Sequence, residues 1–239
     1  MSEIWYENKS IRAAFLTREA EREGYRVCSV TDLPAQYDLM QALEHNRTVL
    51  SEFFNWPDLQ LSMGKQVHET RVSYCSGPGI HDNTDALVTD KPGLALAVLV
   101  ADCAAVLIAD PVHKVVSAIH AGWRGAVGGI LPGAVSTMMR FGAEPDVMQA
   151  YISSCISRES FEVGEEVANR FPEKFVDRTK EKPHVDLGAF VQQELRKSGI
   201  PADSIMMDDR CTVRHPRSLH SYRRDGEVSG RMMAAIALT

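Results

Sequence analysis

The sequence predicts a protein of the α+β or α/β class, and three observations support that prediction. Three short apolar runs lie between residues 94 and 119, and runs of this length are typical of strands that are buried on both faces. An amphipathic pattern over 38–54 precedes them, and two further helical patterns follow. The 239 residues, of which 44% are hydrophobic, supply enough apolar surface for one large core.

The predicted elements follow one another without an internal repeat or an obvious linker. The first 35 residues mix short strand-like and polar pieces, and the helix over 38–54 has Asp38 as a candidate cap. Residues 122–141 predict a loop that enters a helix, with Pro132 as a kink or an early helical position. The other predicted elements are strands over 94–100, 104–109, 115–119, 147–153 and 234–238, and helices over 163–171 and 187–197.

Charge and composition argue against several classes of function. The formal net charge is −6 and no basic stripe spans an element, so nonspecific nucleic-acid binding is not expected. No apolar run approaches the roughly 18 to 20 residues of a membrane span, and the polar first ten residues do not resemble a signal peptide. Five scattered cysteines, an odd number, argue against a disulfide framework and indicate a reducing, cytoplasmic setting. The oligomeric state stays open.

Three short motifs supply residues that bind transition metals: 65–68, 101–103 and 120–125. His68 and His120 offer imidazole nitrogen and Cys103 offers thiolate, and three protein ligands are typical of a catalytic zinc site with one open position. Cys103 lies between two predicted strands and His120 ends a third, where a rigid scaffold can hold a site. The alternative is that Cys103 packs as a small apolar residue and that the histidines are ordinary loop residues.

Charged residues near these motifs are candidates for supporting roles. Asp85 and Asp102 are the nearest carboxylates in sequence and could orient the imidazoles, although a turn or capping role fits each of them too. Arg124 could bind phosphate, or it could pair with an acidic residue at the surface. Of the adjacent Arg223 and Arg224, only one can enter a common pocket if the segment is extended, and we favour Arg223.

The motifs resemble those of the YfiH-type family, whose members are also described as polyphenol oxidase or laccase-domain proteins. The resemblance covers most of the chain from about Asn46 onward and implies a mixed β-sandwich flanked by helices, as a single domain over 1–239. The matching segments, in the family's order, are 66–68, 84–86, 101–103, 120–125, 161–164, 184–187, 211–212 and 221–226.

The resemblance also implies a function. It implies a zinc enzyme that processes purine nucleosides, either by phosphorolysis of adenosine, inosine or methylthioadenosine or by deamination of adenosine. The family is linked to the editing of peptidoglycan precursors as well, which this sequence neither supports nor excludes. The expected metal ligands and catalytic residues are His68, Cys103 and His120, with Asp85 as a further catalytic residue, and the expected substrate-binding residues are Asn46, Arg47, Gln66, Arg124 and Arg223.

Three other functions compete with this one. Copper suits a ligand set of two histidines and one cysteine, but a multicopper oxidase needs many more histidines in His-x-His pairs, and the chain contains no such pair. A thiol hydrolase would use Cys103 as its nucleophile and His120 as its base, as in the toxin deamidases whose fold the family resembles. A noncatalytic binding module is the third alternative.

The chain departs from the family pattern in two places. Residues 16–21 lack the family's Gly-Gly, which puts the N-terminal wall of the substrate site in question. Ser153 and Ser154 stand where the family has Gly-Pro, and a serine is strained wherever the backbone needs a positive φ.

Overall fold

The computed structural model describes residues 3–7, 10–28 and 39–239. Within these residues, two six-stranded sheets pack face to face and helices cover their outer faces. The strands are β1 (Glu3–Glu7), β2 (Ile11–Leu16), β3 (Gln60–Gly64), β4 (Val72–Tyr74), β5 (Gly79–His81), β6 (Ala86–Thr89), β7 (Leu94–Val100), β8 (Ala104–Asp110), β9 (Val115–Ala121), β10 (Gln149–Ile152), β11 (Val176–Asp177), β12 (His184–Val185), β13 (Ile205–Met207) and β14 (Met232–Leu238). The helices are α1 (Arg18–Arg22), α2 (Leu39–Phe53), α3 (Trp123–Gly128), α4 (Ile130–Arg140), α5 (Glu165–Ala168), α6 (Leu187–Lys197) and α7 (Tyr222–Asp225).

Both large sheets are mixed. The first has the order β1-β2-β14-β7-β3-β5, in which β14 runs antiparallel to β2 and β7 while β3 runs parallel to β5 and β7. The second has the order β13-β10-β8-β9-β6-β4, and β8 runs antiparallel to its neighbours β9 and β10. Strand β7 belongs to the first sheet and β8 to the second, so the chain crosses from one sheet to the other at residues 101–103.

Alternate residues of the central strands face different parts of the core. In β7, Leu96 and Val98 point into the core between the two sheets, while Ala95 and Ala97 point to the layer that contains α2. Because successive side chains of a strand point to opposite faces, a strand covered on both sides must be apolar throughout. This explains the continuous apolar runs of the sequence, and the predicted mixed β-sandwich with flanking helices is confirmed.

The helices that cover the sheets differ in detail from those predicted. The helix predicted over 38–54 is present as α2, and Asp38 lies outside the described residues. The region 122–141 contains two helices, because Gly129 adopts a left-handed φ of 95° between α3 and α4. Pro132 lies in the first turn of α4, where its missing N–H has no partner to lose. The helix predicted over 163–171 is reduced to α5.

Two further differences concern segments of little apolar character. The N-terminal region contains the short helix α1, which the sequence did not predict and which the Thr17 side chain caps. Residues 222–225 form α7 rather than an extended segment, with Ser221 as the cap. In the described part of the chain, no helix combines the length and the apolar character needed to cross a bilayer.

Candidate functional site

The three predicted metal ligands meet at one end of the core between the sheets. The ligand atoms of His68, Cys103 and His120 all lie within 4.8 Å of one another. His120 continues the inward-facing series of β9 after Val116 and Ala118, while Cys103 lies on the crossing between the sheets. His68 lies on the loop after β3, with a left-handed φ of 63°. The arrangement of the two sheets therefore brings His68 next to Cys103, although the two residues are 35 positions apart in the sequence.

A single buried carboxylate holds two of the ligands in place. Asp85 is 1% exposed, and its Oδ1 lies 2.7 Å from Nδ1 of His120. It also accepts hydrogen bonds from the backbone N–H groups of Val67, His68 and Glu69, at 2.9 to 3.1 Å. Because Nδ1 of His120 donates to Asp85, Nε2 is the nitrogen left for a metal or a proton. Asp85 positions the ligands and has no free oxygen directed at a substrate.

The thiol and the buried imidazole polarise each other. Burial alone would raise the pKa of Cys103, but the charge and hydrogen bond of His120, with a further hydrogen bond from His68, lower it to about 6. Burial alone would lower the pKa of His120, but the Cys103 thiolate and the hydrogen bond to Asp85 raise it to about 9. At neutral pH the metal-free protein therefore holds a thiolate next to an imidazolium, and the thiolate is the form that binds metals.

The space between the ligands fits an ion. Gly122 lies against the group, and a Cβ atom at this position would lie 3.0 Å from Sγ of Cys103 and 3.1 Å from Cδ2 of His68. Only glycine leaves this volume free of a side chain. The imidazole nitrogens of His68 and His120 and the thiolate of Cys103 could hold a metal ion and leave one position open. His68 is the exposed member of the group.

A cavity of about 820 Å³ opens on this group. Its volume lies within the range of roughly 300 to 1,000 Å³ that is usual for small-molecule sites. One wall contains the three ligands, and the others come from α2, α3, α7 and the loops between them. The apolar part of the lining includes Leu39, Leu43, Met63, Ile156, Phe161 and Leu187.

Two of the predicted arginines line the cavity. Arg124 is exposed, its guanidinium lies 4.5 Å from the centre of the Trp123 ring, and within the described residues it has no hydrogen-bond or ion-pair partner. The guanidinium of Arg223 donates to the carbonyl oxygen of Glu162 at 3.0 Å and lies over Phe161. Arg224 instead binds the carbonyl oxygens of residues 212, 213 and 219. The preference for Arg223 therefore agrees with the geometry, although α7 is helical and the alternation argument does not apply.

The other predicted substrate residues are engaged by the protein itself. The Asn46 side chain accepts from N–H of Cys28 at 2.9 Å and donates to its carbonyl at 2.8 Å. Gln66 makes the same paired contact with the backbone of Leu99, at 2.8 Å in each direction. Both residues line the cavity but use their amides to hold its walls together.

The structure places Arg47 outside the cavity, contrary to the expectation that it binds substrate. Its guanidinium pairs with Glu44 at 2.7 Å and lies near the carbonyl of Leu59. Successive residues of a helix point in directions about 100° apart, so the buried Asn46 turns Arg47 away from the cavity.

The departures from the family pattern leave the metal group intact. Neither Ser153 nor Ser154 has a positive φ, so replacing the family's glycine causes no strain here. Both serines are fully buried, and Oγ of Ser153 accepts a hydrogen bond from N–H of Ala105 at 3.0 Å. The residues of α1 do not line the cavity. Its Glu19 accepts from Ser218 at 2.8 Å and its Glu21 lies 3.0 Å from His220.

Sequence reasoning missed most of the apolar lining and the aromatic residues at its edge. Phe161 and Tyr222 both lie within matched motifs, so a signal for them was present. Leu39, Leu43 and Ile156 come from distant segments and have no distinctive neighbours, so no sequence signal marks them.

Comparisons with known proteins identify the family of this chain. A family model described as multi-copper polyphenol oxidoreductase laccase matches residues 12–239. A purine nucleoside phosphorylase from Deinococcus radiodurans is 34% identical over 235 residues, which cover 97% of this chain and 90% of that protein. A protein named adenosine deaminase RL5, from an unknown prokaryotic organism, is 35% identical over 163 residues, which cover 65% of this chain and 62% of that protein.

A solved structure shows the same fold. The crystal structure of the hypothetical protein YfiH from Bacillus licheniformis superimposes with a TM-score of 0.82 and 26% sequence identity, covering 96% of this chain and 93% of that one. The chain therefore belongs to the multi-copper polyphenol oxidoreductase laccase family, as its YfiH-type motifs predict.

Proposed function

We propose that this protein is a zinc-dependent enzyme that acts on purine nucleosides, by phosphorolysis of adenosine, inosine or methylthioadenosine and by deamination of adenosine. The observation that carries the proposal is the group of His68, Cys103 and His120, which opens directly on a small-molecule cavity. The names of the similar proteins from Deinococcus radiodurans and of RL5 support the substrate class.

The donor set favours zinc over copper as the resident metal. Imidazole and thiolate ligands in a three-residue group with an open position are typical of catalytic zinc. A multicopper oxidase needs several copper sites rich in histidine, whereas the described residues contain one group of this kind, with two histidines. Membership of a family described as laccases therefore does not carry phenol oxidation over to this chain.

The chain's own residues divide the work at the site. When bound, zinc supplies a Lewis acid that lowers the pKa of water. Cys103 would hold the zinc as a thiolate and His120 would hold it through Nε2. Asp85 accepts a hydrogen bond from Nδ1–H of His120, which fixes the tautomer of that imidazole. The apolar walls around Leu43 and Phe161 exclude water and pack against a purine base.

The two arginines of the cavity suit the phosphate that phosphorolysis consumes. Among the described residues, the Arg124 guanidinium contacts the Trp123 ring and makes no hydrogen bond, so its N–H groups are available to an anion. Arg223 spends one N–H group on the Glu162 carbonyl and keeps others for a ligand. An anion between these groups would lie in the same cavity as the metal ligands.

A thiol hydrolase is the second candidate, and one observation favours it. Cys103, His120 and Asp85 have the order of a nucleophile, a base and an orienting carboxylate, and the pKa of the thiol is lowered to about 6. In that enzyme Cys103 would be uncoordinated and reactive in the active protein.

Metal analysis combined with a nucleoside assay tests the proposed function. We expect about one zinc per chain in the wild type, together with phosphate-dependent release of free base from a panel of purine nucleosides. Cys103→Ala should lose the zinc, and Cys75→Ala, which removes a buried thiol outside the cavity, should keep it. Equal zinc content in the wild type and Cys103→Ala would contradict the proposal.

Alkylation separates the two candidates. A coordinated Cys103 should react slowly with iodoacetamide in the zinc-loaded protein and faster after chelation, and activity lost to the chelator should return with Zn²⁺. Rapid alkylation of the active protein, or activity that survives chelation, would make the thiol hydrolase the leading account.

A further inference from the structure

We infer that Asp102 is a positioning residue that couples the metal-binding turn to the arginine side of the cavity, by fixing Arg223 in register with Cys103. The geometry of this inference comes from the contacts of Asp102. Its importance for catalysis rests on the proposed function. By sequence alone, Asp102 fits a turn residue equally well.

The backbone at Asp102 is unusual. Its φ is 87°, in the left-handed region that non-glycine residues rarely adopt, although asparagine and aspartate tolerate it better than most. Asp102 immediately precedes Cys103 on the crossing between the two sheets. A fixed conformation here therefore sets the direction in which the Cys103 side chain leaves the turn.

Three distant segments converge on this one residue. One carboxylate oxygen accepts from the hydroxyl of Thr212 at 2.5 Å, and the other accepts from the backbone N–H of Arg223 at 2.6 Å. The carbonyl oxygen of Asp102 accepts from N–H of Ile156 at 2.9 Å. A residue that only shaped its own turn would not need bonds to chain 54, 110 and 121 positions away. Both carboxylate oxygens have protein donors, which is the arrangement of a positioning residue.

Arg223 depends on such an external contact. Helix α7 has four residues, and its N-cap is Ser221, whose Oγ accepts from N–H of Arg224 at 3.2 Å. The N–H groups in the first turn of a helix have no partner within the helix, and the Asp102 carboxylate supplies one for Arg223. The carboxylate next to a metal ligand thus sets the position of the backbone of an arginine that lines the same cavity.

Two substitutions separate the carboxylate from the backbone of Asp102. Asp102→Gly keeps the left-handed φ and removes both acceptors. Asp102→Asn also tolerates that φ, and its amide oxygen can accept from N–H of Arg223 while its NH₂ group donates to the Thr212 hydroxyl, so it serves as the conservative variant. Thr212→Val is the matched control, because it removes the donor on the other oxygen and leaves the bond to Arg223 in place.

The experiment uses zinc-loaded protein labelled with ¹⁵N-arginine, with the Arg223 amide assigned through Arg223→Lys. We expect Asp102→Gly to keep its zinc, to shift the Arg223 amide proton upfield, and to bind inorganic phosphate about tenfold more weakly by titration of the arginine signals. Asp102→Asn should stay closer to the wild type in the last two measurements. Thr212→Val should leave the Arg223 amide signal where it is in the wild type.

The inference is overturned by an Arg223 amide signal that does not move in Asp102→Gly. It is equally overturned if the signal moves and phosphate affinity is unchanged, or if Asp102→Gly loses its zinc, since the metal site itself would then require Asp102. These readouts need no nucleoside. A wild type that releases no base would contradict the proposed function and leave this test intact.

Discussion

The two sides of the cavity are built differently. Near the metal ligands, His120 lies in the central strand β9. His68 lies on a turn that the buried carboxylate of Asp85 holds, and Cys103 lies where the chain crosses between the sheets. By contrast, Arg124 lies on the six-residue helix α3 and is exposed, and Arg223 lies on the four-residue helix α7. We call these the metal wall and the arginine wall.

The difference follows from what each wall must do. Metal ligands need positions fixed to a fraction of an ångström, and strands with buried hydrogen bonds provide them. A wall that admits a substrate from solvent must stay accessible, and loops and short helices provide that. Substitutions in the metal wall should therefore change metal affinity and folding together, whereas substitutions in the arginine wall should change substrate binding alone.

The largest effect is expected from Asp85→Ala. This change removes the acceptor for Nδ1 of His120 and for three backbone N–H groups of the His68 loop. We expect zinc affinity to fall at least about 100-fold, because such partners commonly contribute 10- to 100-fold, and the free energy of unfolding to fall by about 3 kcal/mol. Competition with a chelator and denaturant unfolding measure the two effects.

Asp90→Ala is a matched control for Asp85→Ala. Asp90 is also a carboxylate close to a strand of the second sheet, but it accepts from the Tyr74 hydroxyl and does not line the cavity. The substitution Asp90→Ala should therefore leave zinc affinity unchanged. Equal zinc affinity in the wild type and Asp85→Ala would show that the metal wall does not depend on this carboxylate.

A smaller effect on the metal wall is expected from Gly122→Ala. The added Cβ would lie 3.0 Å from Sγ of Cys103 and 3.1 Å from the His68 ring, so the ligands must move apart. Overpacking of this kind costs about 2 kcal/mol, which corresponds to about 30-fold in zinc affinity. The control is Gly133→Ala in α4, whose Cβ would meet Val72 at an ordinary 3.5 Å. A Gly122→Ala protein with wild-type zinc affinity would mean that the ligands have room that the structure does not show.

The pH dependence of zinc binding should show which protonation states the metal wall has without metal. In the metal-free protein the pKa of Cys103 is lowered to about 6 and that of His120 is raised to about 9. Zinc needs the neutral imidazole, so between these values binding releases the His120 proton. We expect apparent zinc affinity to rise about tenfold per pH unit between pH 6 and 9, and more steeply below 6, where the thiol also carries a proton. A flat profile from pH 6 to 9 would show that His120 is already neutral without metal.

The apolar runs of the sequence predicted the strands of the metal wall well, but they did not predict how those strands pair. The runs predicted over 94–100, 104–109 and 115–119 became β7, β8 and β9, because a strand covered on both faces has to be apolar throughout. Nothing in those runs indicates that β7 and β8 lie in different sheets. The ligand types could be identified from residue chemistry, but their convergence depends on that crossing.

The arginine wall was harder to predict because its residues lie on short elements. Segment 222–225 is too brief for periodicity, and only Ser221, a favourable helix cap, signalled a helix. The position of Arg47 outside the cavity follows from the helix, since a helix that buries Asn46 directs the next residue elsewhere. The apolar lining from α2 and the 156–161 loop has no sequence signal, because it forms only when distant segments pack together.

The smallest effect is expected in the arginine wall, from Arg124→Ala. This guanidinium lies on the Trp123 ring and has no hydrogen-bond partner among the described residues, so its removal exposes no buried group. We expect the KM for phosphate to rise about fivefold, the loss of one modest charge-assisted contact, with zinc content and unfolding free energy unchanged. Arg47→Ala is the matched control, because that arginine pairs with Glu44 outside the cavity and should leave the phosphate KM as in the wild type. If Arg47→Ala raised the phosphate KM and Arg124→Ala did not, the anion would bind on the far side of α2, and the division into two walls would be wrong.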